Sequence, residues 1–464
     1  MIIIRHKFLA IILLFILSFI LVTCSASQPQ NSVQKSQSDR VLTIWWNRGF
    51  YPEQDEALQK VIANWQEKTN KKVEISFFST DDILAAGNDA LAAGKPPDIF
   101  FSQIGEFTLI PQWAWEGKLV DVSDVIEPVK NLYSDSVLKS VYLYNNVESK
   151  SSNYSVPIMQ QGIHIHYWYD LIREANLEEE IPKNWDEFWQ FWQNAQKNLR
   201  KQGKNNIYGL GLPMSIDATD TSTVFEQILE ANNLQIVDEQ GKLQIDKPEF
   251  RQKIIDILEW YTSFYKNGYV PPNAVNWRNS DNNTNFLNRN SLMTINPSMS
   301  IPSSQQEDKE IYLNQMRTID FPNNPNGTKP ISLVSIKQPV IFTSSAHPKL
   351  AKEFLSYLVQ PENLGPYIKG ARGRYFPIMP QLWEDPFWSD TKDPHISVAS
   401  QQLTANQTRL FNNSISPAYS QVYSENIWGK AMRQILIEGL SSTEVTDIAI
   451  ERITEIFSQW ETRQ

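Results

Sequence analysis

Cysteine is almost absent from this chain. Its 464 residues include a single cysteine, Cys24, which lies close to the N-terminus. One thiol cannot form an internal disulfide, and it cannot supply a dithiol redox pair or a thiolate metal site. The body of the protein must therefore be stabilised by its core alone, and we predict no metal site.

Positive charge and catalytic signatures are also lacking. Lys and Arg number 42 against 52 Asp and Glu, which gives a formal net charge of -10. Binding to nucleic-acid backbones needs a basic surface, so we predict no nucleic-acid partner. The chain contains no Gly-x-Ser-x-Gly elbow, no His-Glu-x-x-His pair and no phosphate loop. We therefore predict a protein that is not an enzyme and that uses no cofactor.

The N-terminus differs in kind from the rest of the chain. Arg5 and Lys7 precede the apolar run FLAIILLFILSFILV, whose length is typical of a secretory signal. The run ends in LVTC, which resembles a bacterial lipobox, although Thr23 stands where Gly, Ala or Ser is usual. We predict a signal peptide over 1–23, a lipid on Cys24 and a flexible polar tether over 24–39. The protein would then be exported to the periplasm or cell surface and anchored to the membrane.

Strand and helix patterns alternate through the globular part. VLTIWW, KVEISFF and DIFF read as strands, and helical spacing of apolar residues separates them. This rhythm predicts parallel sheets covered by helices, and the length of the chain favours two domains. Asn-rich stretches such as NWRNSDNNTNF (276–286) are predicted to be surface loops.

Five stretches in chain order resemble the family 1 extracellular solute-binding proteins of bacterial ABC importers. They are ALAAGKPPDIFF (90–101), WEGKLVDVSDVI (115–126), YSVPIMQQGIHIHYWYDLIREANLEEEIPKNWDEF (154–188), NFLNRNSLMTINPSM (285–299) and SSAHPKLAKEFLSYLVQPEN (344–363). The resemblance implies an α/β protein with the two-lobed, type II periplasmic fold, in which two parallel or mixed sheets flanked by helices are joined by crossing hinge strands. It places 40–157 and 332–355 in lobe 1, and 158–331 and 356–464 in lobe 2. It also implies a monomer that captures a carbohydrate between the lobes and delivers it to permease subunits in the membrane.

The candidate ligand contacts come from strand ends and from this resemblance. In open α/β sheets ligands lie beyond the carboxyl ends of the strands. That rule favours Trp46, Asn47 and Arg48 after the first strand, and leaves Trp45 to packing. Gln161 aligns with a carboxylate that binds sugar hydroxyls in the family. The remaining candidates lie at strand ends, crossings or late loops: Gln103, Gln160, Trp277, Asn296, Met299, Gln338, Arg374 and Tyr375.

Several alternatives stay open at this point. Met299 stands where maltodextrin-binding members have a stacking Trp, so the sugar is not specified. Arg374 also fits an acidic or phosphorylated ligand, because its fork matches a carboxylate or phosphate. A polyamine or organic phosphate is the alternative solute, and a lipid-anchored carbohydrate hydrolase is the alternative class. His164 and His166 would share a strand face, which suits a metal pair, but the resemblance places them in a structural strand.

Overall fold

The protein is described here by a computed structural model, which covers residues 41–177, 180–238, 241–245, 247–405 and 407–461. The predicted signal peptide, the tether and the lipidation of Cys24 lie outside the described residues. No helix in the described ranges combines the length and apolar character needed to cross a bilayer.

The strands of the described part are numbered in chain order. They are β1 (Val41–Asn47), β2 (Lys72–Phe78), β3 (Ile99–Phe101), β4 (Tyr142–Asn145), β5 (Lys150–Asn153), β6 (Met159–Gly162), β7 (His164–Trp168), β8 (Tyr208–Gly211), β9 (Ser291–Asn296), β10 (Met316–Ile319), β11 (Ser332–Lys337) and β12 (Thr408–Leu410).

The α-helices of the same part are numbered in the same way. They are α1 (Pro52–Thr69), α2 (Thr80–Ala92), α3 (Gly105–Thr108), α4 (Ile110–Trp115), α5 (Ser123–Ile126), α6 (Asp135–Val141), α7 (Tyr169–Glu174), α8 (Trp185–Lys201), α9 (Thr219–Ala231), α10 (Pro248–Lys266), α11 (Asp281–Leu287), α12 (Ser300–Ser303), α13 (Pro348–Leu358), α14 (Pro361–Gly370), α15 (Pro386–Ser389), α16 (Ile396–Thr404), α17 (Pro417–Ser424), α18 (Ile427–Leu436) and α19 (Ser442–Glu461).

The first sheet is built around β1. Its order is β2-β1-β3 and all three strands are parallel, as expected when helices connect consecutive strands. The alternating pattern of β1 buries Leu42, Ile44 and Trp46 on one face, because successive strand residues point to opposite sides. Helix α2 begins at an N-cap, Ser79, whose hydroxyl accepts from the Asp82 amide at 3.1 Å.

The second sheet is mixed. Its order is β10-β7-β9-β8, with β7 antiparallel to both β9 and β10, and β8 parallel to β9. Every residue of β7 and β9 is buried, so helices cover both faces. Helix α8 starts at Asn184, whose side chain accepts from the Asp186 and Glu187 amides, and it lays its aromatic stripe on this sheet.

A third sheet, with the order β12-β11-β6, carries the chain between the two cores. Gln161 of β6 lies opposite Ser335 of β11 in an antiparallel register. After β11 the chain continues to Val340, which bridges Phe100 in β3. After β6 it continues within two residues to β7 of the second sheet. These strands are the crossings between the two halves of the fold.

Two large hydrophobic clusters divide the chain. One surrounds β1 and includes Leu364, Tyr367 and Phe376, whereas the other surrounds β7 and includes residues from Phe411 to Trp460. This differs from the predicted division, which placed all of residues 356–464 in the second lobe. The reason is that α14 packs closely on α1: a Cβ on Gly370 would lie 2.7 Å from the Glu53 carbonyl oxygen. Only glycine permits that approach, so α14 and the segment after it belong with the first core.

Candidate ligand-binding site

A cavity of about 880 Å³ lies where the first sheet meets the second core. The segments that follow β1, β2 and β3 all contribute to its wall: Arg48, Gly49 and Phe50, then Ser79, Thr80 and Asp81, then Gln103 and Ile104. These are the carboxyl ends of the three parallel strands, where ligands of open α/β sheets are held.

The opposite wall comes from the second core. It consists of the start of α9, the loop that leads into α11, and the segment that follows β9, with Tyr423 from α17. The two walls meet at one end, where the Tyr51 hydroxyl donates to the Ser300 carbonyl at 3.0 Å. The cavity is therefore bounded by both halves of the fold.

Six of the twelve predicted contact residues line this cavity: Arg48, Gln103, Gln161, Asn296, Arg374 and Tyr375. The other six, Trp46, Asn47, Gln160, Trp277, Met299 and Gln338, are not among its lining residues. Whether the first six contact a ligand stays a prediction, but the structure brings them together.

Trp46 is a core residue. Its exposed fraction is 1%, its ring lies 4.3 Å from that of Phe101, and its Nε1 donates to the Tyr367 hydroxyl at 3.0 Å. The prediction placed Trp46 at the rim and Trp45 in packing. Instead Trp46 shares the buried face of Leu42 and Ile44, and it is Trp45 that is partly exposed beside Phe78.

Asn47 does not line the cavity, and its side chain instead bonds to residues of the cavity wall. Its Nδ2 donates to the Thr80 hydroxyl at 3.1 Å, and its Oδ1 accepts from the Gln103 amide at 3.1 Å. The side chain therefore holds the ends of β2 and β3 against β1. Gln103 in turn donates to the Arg48 carbonyl at 3.3 Å, which fixes its own position in the wall.

The other four residues outside the cavity are engaged elsewhere. Gln160 donates to the Pro377 carbonyl at 2.6 Å, and Gln338 accepts from the Ser155 hydroxyl. Trp277 is buried in the core around β7, and Met299 is buried in the core around β1. Gln160 and Gln161 differ because neighbouring residues on a strand point to opposite sides.

Several lining residues were not anticipated. Arg278, Asn279, Ser280 and Asn283 come from the Asn-rich stretch that was expected to be a surface loop. Its amides were a usable signal, since a sugar rim is recognised by such groups, but the same composition is typical of ordinary turns. Asp220 and Thr223 lie in the first turns of α9, which no motif indicated.

An amide and hydroxyl network stiffens the second wall. Asn296 donates to Asn283, and its Oδ1 accepts from the Ser298 amide at 2.9 Å. Asn279 accepts from the Thr219 amide at 2.7 Å, which satisfies the start of α9. The polar groups are thus held in place before any ligand arrives, which lowers the cost of ordering them on binding.

A buried ion pair contacts the backbone of the cavity wall. Lys337 of β11 and Glu106 of α3 are 1% and 0% exposed and contact each other directly. Lys337 also donates to the Gln103 carbonyl at 2.6 Å. Burial is the main influence on both groups, lowering the pKa of Lys337 and raising that of Glu106, and their mutual attraction opposes it.

Burial also raises the pKa of Asp220 to about 7, while its Asn282 hydrogen bond and the Arg374 charge act in the opposite direction. Asn282 donates to Asp220 at 3.3 Å. Burial thus favours the protonated form of this carboxyl, which can both donate and accept a hydrogen bond.

The histidines of β7 are buried, and each lies within hydrogen-bond distance of a neighbour through Nδ1. His164 and His166 are fully buried, and their Nδ1 atoms lie 3.1 Å from the Gly162 carbonyl and 2.9 Å from the Thr318 hydroxyl. Within the described ranges, no three His, Cys, Asp or Glu residues are grouped to hold a metal ion.

Comparison with known proteins agrees with this geometry. The model of the bacterial extracellular solute-binding protein family matches residues 51–364, more than half of the chain. The chain belongs to this family. The "Multiple sugar-binding protein" of Streptococcus mutans serotype c (strain ATCC 700610 / UA159) is 20% identical over 428 residues, which are 85% of this chain and 92% of that protein.

Solved structures of the family share the fold. An ABC transporter solute-binding protein from Thermotoga lettingae TMO, bound with alpha-D-tagatose, superposes with a TM-score of 0.73 at 22% identity, covering 90% of this chain and 99% of that one. Maltose-bound MalE3 of T. maritima gives 0.71 at 17% identity, covering 90% and 100%. The predicted two-lobed, type II periplasmic fold of this solute-binding protein is thereby confirmed.

Proposed function

We propose that this solute-binding protein captures a carbohydrate in the cavity between its lobes and delivers it to the permease of an ABC importer. It acts as a monomer without catalysis, outside the cytoplasm and anchored through a lipid on Cys24. The family assignment supports the importer, and the apolar run ending in LVTC supports the anchor.

The lining of the cavity carries the sugar proposal. A sugar presents hydroxyls around its rim and C–H groups on its faces, so proteins meet it with amides, hydroxyls and aromatic rings. The cavity offers Gln103, Gln161, Asn279 and Asn283, and Phe50, whose ring is 50% exposed. Its volume of about 880 Å³ suits a small ligand of one or a few rings.

The relatives support the same class of ligand. One solved neighbour holds tagatose and another holds maltose, which are a monosaccharide and a disaccharide. Because identities lie between 17% and 22%, the neighbours support the class and leave the individual sugar open.

Gln161 gives the most direct test of the cavity. It is 8% exposed, and its side-chain amide makes no hydrogen bond to another residue in the part of the chain described. We expect Gln161→Ala to weaken sugar binding by about ten-fold, because a lost hydrogen bond that leaves a partner unpaired costs roughly 1–3 kcal/mol. Calorimetric titration with the tightest sugar of a mono- and oligosaccharide panel measures the change.

The matched control is Gln59→Ala on the exposed face of α1, which should bind as the wild type does. Unchanged affinity of Gln161→Ala would remove this residue from the site. If no sugar of the panel stabilises the protein against heat, carbohydrate capture is wrong. Formation of hydrolysis products would instead establish the enzyme alternative.

A further inference from the structure

Arg374 lies in the cavity wall in a fixed position. It follows Arg372 and Gly373, whose φ angles of 54° and 81° turn the chain sharply after α14. Its guanidinium carbon lies 4.8 Å from the centre of the Phe50 ring and 5.1 Å from that of Tyr375. Cation–π contacts of this kind hold the guanidinium without neutralising its charge.

The guanidinium of Arg374 makes no hydrogen bond or salt bridge to another described residue. Its Nε is buried without a hydrogen bond, and no carboxylate pairs with it among the described residues. Arg372, two residues earlier, shows the usual arrangement, since it pairs with Glu53 at 3.1 Å and with Glu307 at 3.2 Å. A half-buried cation without a counter-ion is costly, so the contrast calls for an explanation.

Two of the three aspartates that line the cavity lie at the starts of helices. Asp81 lies in the first turn of α2 and Asp220 in the first turn of α9, where the helix dipole stabilises negative charge. Asp220 also has Asn282 as a hydrogen-bond partner, and burial favours its neutral form. Asp217 is exposed to solvent just before α9.

Three arginines and three aspartates line the cavity. Arg48 and Arg278 line the cavity beside Arg374, and neither forms a salt bridge within the described ranges. Helices α2 and α9 also begin at the wall, where Asp81 and Asp220 offset their positive ends. Arg374 therefore differs from the other two arginines of the cavity, because its Nε is buried without a hydrogen bond.

We propose that the cavity takes an anionic sugar, one that carries a carboxylate or a phosphate, with Arg374 as its counter-ion. This rests on the proposed function. The planar guanidinium fork of Arg374 matches either anion with two parallel hydrogen bonds. A cationic solute such as a polyamine would leave Arg374 without a counter-ion.

The experiment compares neutral sugars with their charged derivatives on the full-length protein. Calorimetric titrations use glucose and galactose, their uronic acids and their 6-phosphates, with inorganic phosphate as the bare anion. We expect at least one uronate or phosphate to bind ten-fold or more tightly than its neutral parent. The arm that binds more tightly distinguishes carboxylate from phosphate.

Two variants test the role of Arg374 itself. Arg374→Gln should reduce the preference for the anion to less than three-fold, and Arg374→Lys should restore part of it. Arg372→Gln removes the same charge two residues away, outside the cavity, and should leave the preference unchanged. Thermal unfolding of each variant verifies that it is folded.

The outcomes separate the two proposals. If a neutral sugar binds as tightly as its acid and phosphate, or if Arg374→Gln keeps the preference, the anionic ligand is wrong while sugar capture stands. If inorganic phosphate binds but no sugar does, or if nothing in the panel binds, sugar capture is wrong and the anionic sugar falls with it.

Discussion

Lys337 and Arg374 both lie near the ring of Tyr375, but only Lys337 forms a salt bridge within the described residues. The Nζ atom of Lys337 lies 6.0 Å from the centre of the Tyr375 ring, and the guanidinium carbon of Arg374 lies 5.1 Å from it. Lys337 is fully buried, and Glu106 supplies its counter-charge. Arg374 borders the cavity and forms no salt bridge among the described residues, although its charge opposes the rise in the pKa of Asp220. A charge that the fold needs is thus neutralised within the chain. A charge without a salt-bridge partner beside a cavity is available to a ligand.

The largest effect is expected when Lys337 is made to resemble Arg374. Glu106→Gln leaves the ammonium buried without a counter-ion, which should lower the free energy of unfolding by roughly 3–5 kcal/mol. Urea denaturation measures the loss. The double variant Glu106→Gln/Lys337→Met should recover most of it, since an apolar pair replaces a charged one. Equal stability of the single variant and the wild type would show that the pair does not stabilise the fold.

A smaller effect on the free energy of unfolding is expected from the buried histidines. They are neutral in the folded protein and therefore need no counter-ion. Burial lowers the pKa of His164 to about 4, although the Gly162 hydrogen bond opposes the shift. Between the ordinary value of 6.5 and about 4, the unfolded chain binds the proton and the folded chain does not. The histidine therefore costs stability as the pH falls through this window, by up to about 1.4 kcal/mol per pH unit.

The contribution of His164 must be measured as a difference in stability between the wild type and a His164 variant, because other groups titrate in the same pH range. Burial raises the pKa of Asp220 to about 7 and that of Asp320 to about 6, and such groups favour the folded state as the pH falls. We expect the stability gap between wild type and His164→Gln to shrink from pH 7 to pH 5. The gap above pH 7, where the imidazole is neutral in both states, is the control. A constant gap would contradict the prediction.

The smallest effect is expected at Arg372, which has partners but is partly exposed. Its contacts Glu53 and Glu307 are 47% and 85% exposed, so water screens both pairs. Arg372→Gln should cost about 1 kcal/mol or less in urea denaturation. A loss as large as that for Glu106→Gln would break the distinction between buried and exposed partners.

The sequence was sufficient for the fold, and six of its twelve candidate contacts line the cavity. The strand and helix order and the resemblance predicted the two-lobed architecture, and strand ends predicted Arg48 and Gln103. Trp46 was misplaced because the end of the strand was given more weight than its alternation, although Leu42 and Ile44 already indicated the buried face. The Asn-rich stretch was ambiguous, since turns and sugar sites use the same amides.

Other features depend on distances that one sequence does not contain. The missing partner of Arg374 becomes visible only when all neighbouring carboxylates are placed. The burial of Asp220 depends on the packing of α9 against α17 and on Asn282, and neither contact has a local signature. The membership of α14 in the first core follows from one glycine contact across 317 residues, from Glu53 to Gly370.

The contact between Gly370 and Glu53 also affects how long a ligand is expected to stay bound. Because α14 is held against α1, Arg374 belongs to the body that carries β1, whereas Asp220 and Asn279 belong to the body that carries β7. A ligand that contacts both must release one set before the bodies can separate. The dwell time of a bound ligand is therefore expected to depend on Arg374, whose position follows from the close packing of Gly370 on α1.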